Sequence, residues 1–195
     1  MAAWPVGITD YLLAAAQGIG NFLALYRHEG AGAHSSVEEI LAKSLAYGAV
    51  AGVVSVYLMA VIYGRLGTRA GGKSTTNQVI HVLAYGGVPM AASLAIWVLT
   101  ALLAGEATFV ENPRADLEAF LALLLHLQFI SYVLLLIWSI VLQVMGLSEI
   151  QGLTTRKAFG VWFLGQIIGF LASLFLALLI DTLFPGILIH FIPQN

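Results

Sequence analysis

Apolar residues fill long unbroken runs along this chain, and polar residues collect between them. The runs at about 45–64, 79–104, 120–145 and 158–180 each approach or exceed the ~20 residues that a helix needs to cross a bilayer. Polar letters at their starts fit helix caps. Ser35 with Glu38, or Ser36 with Glu39, fits the reciprocal capping pattern, as do Ser74 with Asn77 and Thr75 with Gln78. Asn112 followed by Pro113 reads as cap and first helical residue of the third run, and Thr154 or Thr155 caps the fourth. The predicted fold is an all-α transmembrane bundle.

Residues 9–27 follow a different pattern. Leu12, Ala15, Ile19, Phe22, Leu23 and Tyr26 share one helical face, while Asp10, Gln17 and Asn21 lie on another. A helix with such a polar face suits the membrane interface, or a shallow entry into the membrane. The chain therefore divides into an N-terminal amphipathic helix with a polar linker (1–35), a transmembrane bundle (36–182) and an apolar tail (183–195) cut by Pro185 and Pro193. The tail is too short to span and is expected in the outer interface.

Composition strengthens the membrane reading. Hydrophobic residues make up 60% of the 195 positions and charged residues 9%, against about 25% charged in soluble domains. The start, MAAWPVGITD, lacks the positive region of a secretory signal and reads as mature sequence. Arg65, Arg69 and Lys73 in one loop, and Arg156 and Lys157 in another, assign both loops to the cytoplasm. The loop at 105–118 carries Glu106, Glu111, Asp116 and Glu118 against Arg114 and is expected outside. With no cysteine there is no disulfide, thiolate nucleophile or thiolate metal site.

Two ridges of small residues recur at four-residue steps. One holds Ser44, Gly48, Gly52, Ala60 and Gly64; the other Gly165, Gly169, Ser173 and Ala177. Such ridges let helix backbones approach closely in lipid, and they are expected to mediate association with the chain itself or with other membrane proteins. Gly86, Gly87 and Pro89 predict a kink or short break in the second span, because proline removes the hydrogen bond to the Tyr85 carbonyl.

Residues 67–74, GTRAGGKS, satisfy the phosphate-loop pattern, but a spanning helix precedes them where that loop needs a strand, and no parallel sheet can be built from the rest. A milder expectation is that Arg69 and Lys73, with the helix start beside them, hold a lipid phosphate. His81, His126, Gln128, Gln143 and Gln166 fall within the spans. His81 and His126 sit at different depths, so they cannot both ligate one haem; His126 with His190 is the pair left open. No cofactor, metal or nucleic acid is expected, and no catalytic arrangement is found.

Gly72-Lys73-Ser74 before a helix, Tyr85-Gly86-Gly87-Val88-Pro89 within it, and Trp138 followed by 146–158, GLSEIQGLTTRKA, together resemble the Yip-domain family of small integral membrane proteins. The resemblance covers about residues 40–182. It implies five spanning helices with the N-terminus inside, which favours membrane entry by residues 9–27. Eukaryotic relatives bind Rab-type GTPases through a long cytoplasmic N-terminal region; few residues precede the first helix here, so that activity is not carried over. The compact form resembles the bacterial branch. It implies a non-catalytic organising or adaptor protein of the bacterial cytoplasmic (inner) membrane. An accessory subunit of a larger complex and a small channel or transporter are the alternatives.

Overall fold

A computed structural model describes residues 6–28, 36–104 and 115–183. Among them every regular element is helical: α1 (Ile8–His28), α2 (Val37–Lys43), a π turn (Ser44–Gly48), α3 (Ala49–Arg69), α4 (Thr76–Gly86), α5 (Val88–Ala104), α6 (Ala115–Gln151) and α7 (Thr155–Leu183). Four stretches are long and apolar enough to cross a membrane: Val37–Arg69, Thr76–Leu103, Ala122–Gln151 and Thr155–Phe175. The expected cap at Asn112–Pro113, the centre of the acidic loop, His190 and the apolar tail lie outside the described residues.

Local sequence sets the helix starts. Ser36 caps α2, its hydroxyl accepting the Glu39 N–H at 3.2 Å. The Glu39 carboxylate turns instead to Lys43, one turn on, at 2.6 Å, so only half of the capping pattern forms. At α4 the pattern is complete. The Thr75 hydroxyl accepts the Gln78 N–H, and the Gln78 side chain accepts the Thr75 N–H.

α1 packs against α3, α5, α4 and the π turn. Its buried positions are Asp10, Ala14, Gly18 and Leu23, while Ile8, Leu12 and Asn21 are exposed. The buried side thus mixes the acidic Asp10 with small and apolar residues, and follows neither the polar nor the apolar face alone. Ala14 and Gly18 of α1 meet Gly48 and Gly52. A Cβ on Gly18 would overlap the Gly48 carbonyl oxygen, and one on Gly52 would overlap the Ala14 carbonyl oxygen. Such backbone contact gives close dispersion and Cα–H···O interactions, the main attractions available between helices in lipid.

The basic loops define one end of the bundle. Near that end Tyr63, Val79, Leu147, Ala158 and Val161 form a buried cluster. Towards the far end Leu23, Ile40, Trp97 and Ala101 form another. α1 begins beside His81, close to the start of α4, and reaches Trp97 and Ala101 of α5 by Leu23. It therefore runs in the same direction as α4 and α5.

Candidate functional site

Polar side chains inside the bundle form a seam that starts at Asp10. Its carboxylate is 2% exposed, so it needs partners on the protein. One oxygen accepts the Gly7 N–H at 2.8 Å; the other lies 2.7 Å from His81 Nδ1. The pair joins the first turn of α1 to the second turn of α4, and the His81 ring lies against Tyr85 at 6.4 Å between centroids.

Further along, the helix break is clasped from both sides. α4 ends at Gly86 and α5 starts at Val88, with Gly87 between them. A Cβ on Gly87 would overlap the Gln17 amide of α1, and one on Gly86 would press on Gln143 of α6. The two glycines thus admit a glutamine each. Carbonyls near the break find donors: Ser139 donates to the Gly86 oxygen at 2.7 Å, and Gln17 Nε2 to the Ala84 oxygen at 3.5 Å. Gln143 Nε2 donates to Ser139 Oγ at 3.2 Å, and its carbonyl accepts the Trp162 indole N–H at 3.0 Å. This bond ties Trp162 of α7 to Gln143 of α6.

At the basic end two of the three motifs that carry the family resemblance touch. Gln151, 3% exposed, donates through Nε2 to the Tyr63 carbonyl at 3.2 Å, and its amide lies where a Cβ on Gly67 would be. Gly72 also packs against Gln151. α3 and α6 end in the same way. Gly71 (φ 96°) and Gly152 (φ 65°) take the left-handed conformation. The following N–H groups, of Gly72 and Leu153, return to the carbonyls of Gly67 and Ser148 at 2.8 and 3.0 Å. These are Schellman caps, and they explain several of the glycines in the phosphate-loop lettering. Gly67 lies in α3 and receives the returning N–H of Gly72. The loop follows a helix rather than a strand.

Other residues singled out from the sequence fall in several places. Gly48 and Gly52 face α1; Gly165 faces the Tyr63 ring and Gly169 the Met59 sulfur, both on α3. These close approaches are within the chain. A Cβ on Gly64 would meet nothing within 4 Å, and Ser173 bonds back to the Gly169 carbonyl at 2.9 Å. Gly86, Gly87 and Pro89 are at the break, and Pro89 is buried. Arg69 and Lys73 line different grooves. Arg69 shares an open groove of about 640 Å³ with Arg65, Thr68 and Thr76. Lys73 lines another of about 600 Å³ with Glu149 and Gln151. His126 Nδ1 pairs with the Ala122 carbonyl one turn back at 2.6 Å, so it and His81 have unrelated partners. Gln128 is buried with no partner for its Oε1 among the described residues, and Gln166 is exposed on α7.

Sequence reading missed three things here. Asp10 and His81 are 71 positions apart, and only the docking of α1 brings them together. Ala14 and Gly18 carry the same four-step spacing as the noticed ridges and were the available signal for that docking. Gln151 gave no signal of its own. The whole arrangement can hold helices in register and present a polar, mixed-charge surface at the basic end. No curated protein and no solved structure matches this chain. The family model of the Yip1 domain matches residues 2–180, which includes α1, and the chain therefore belongs to the Yip1 domain family of membrane proteins.

Proposed function

We propose that this integral membrane protein is a non-catalytic organiser or adaptor in the bacterial cytoplasmic membrane, with its basic end in the cytosol. The observation that carries this reading is the clasped break. Discontinuous helices in transporters leave carbonyls for ions or substrates. Here the Gly86 and Ala84 oxygens receive donors from Ser139 and Gln17. Two carbonyls at the break, those flanking the Tyr85 oxygen that Pro89 frees, are thus met by neighbouring helices. The glycines first expected to join partners are engaged within the chain, apart from the open Gly64. Partner contacts therefore fall to the larger side chains of the lipid-facing surface and to the basic end.

Gentle detergent extraction followed by a census of co-purifying chains tests the proposal. An adaptor is expected to bring down membrane proteins in less than fixed proportion. A single partner in fixed stoichiometry would replace it with the accessory-subunit reading. Solute or ion flux in proteoliposomes carrying the purified protein would replace it with the transporter reading.

A further inference from the structure

We draw no further inference here: the strongest candidate, the face of α7 on which the Gln166 side chain is exposed within the span, carries nothing because nothing among the described residues shows what covers it.

Discussion

Asp10 shows how a single residue can fix the placement of a helix. A carboxyl group this deeply buried in a membrane protein must be met by donors, and the Gly7 N–H and the His81 ring meet it. His81→Ala removes the side-chain partner and leaves Asp10 with one backbone donor. An ordinary interhelical hydrogen bond in a membrane is worth ~0.6 kcal/mol. Stranding one member of a buried pair costs about 3 kcal/mol or more, and the second figure applies here. Thermal unfolding in detergent should therefore show a large loss for His81→Ala, and Asp10→Leu with His81→Leu should recover much of it. A double-variant loss equal to the sum of the two single-variant losses would mean that the two residues are not coupled. The pair was invisible in the sequence for a physical reason: Asp10 and Gln17 marked a polar face, but a polar face meets headgroups and a polar bundle interior equally well. Only the partner on α4 distinguishes the two.

Between elements, the contrast is among glycines that look alike in the letters. Gly52 and Gly64 belong to one four-step ridge, yet a Cβ on Gly52 would enter the Ala14 carbonyl whereas one on Gly64 would meet nothing within 4 Å. Gly52→Ala is expected to push α1 off α3 and destabilise the fold by at least the ~1–3 kcal/mol of an overpacked contact. Gly64→Ala is expected to be neutral or stabilising by up to ~1 kcal/mol, because alanine favours the helix. Equal stability of the two variants would show that α1 does not dock there. At the break, Ser139→Ala removes the donor to the Gly86 oxygen and should cost roughly 0.6–1.7 kcal/mol, read from the same melts. The break itself was legible, because Gly-Gly-x-Pro weakens a turn wherever it occurs. The caps at Ser36 and Thr75 were legible because they involve residues three apart. Gln17 and Gln143 were not, because the donors that repair a break come from other helices.

For the whole molecule, the direction of α1 decides how the chain threads. The topology proposed above puts the end of α3 with Arg65 and Arg69, the following Lys73, and the first turn of α7 with Arg156 and Lys157 in the cytosol. α1 starts at that same end, beside His81, and runs with α4 and α5. The start of α1 must then share a side with the basic end and oppose the end of α5 at Ala104. Because the chain has no cysteine, single introduced thiols report on this without interference. In intact cells a membrane-impermeant maleimide should fail to label Thr9→Cys and Thr68→Cys but should label Glu111→Cys; disrupting the membrane should expose the first two. Labelling of Thr9→Cys from outside, with Thr68→Cys still protected, would separate the start of α1 from the basic end. That result would break the Asp10–His81 pair, since a side chain at one membrane surface cannot reach a histidine near the other.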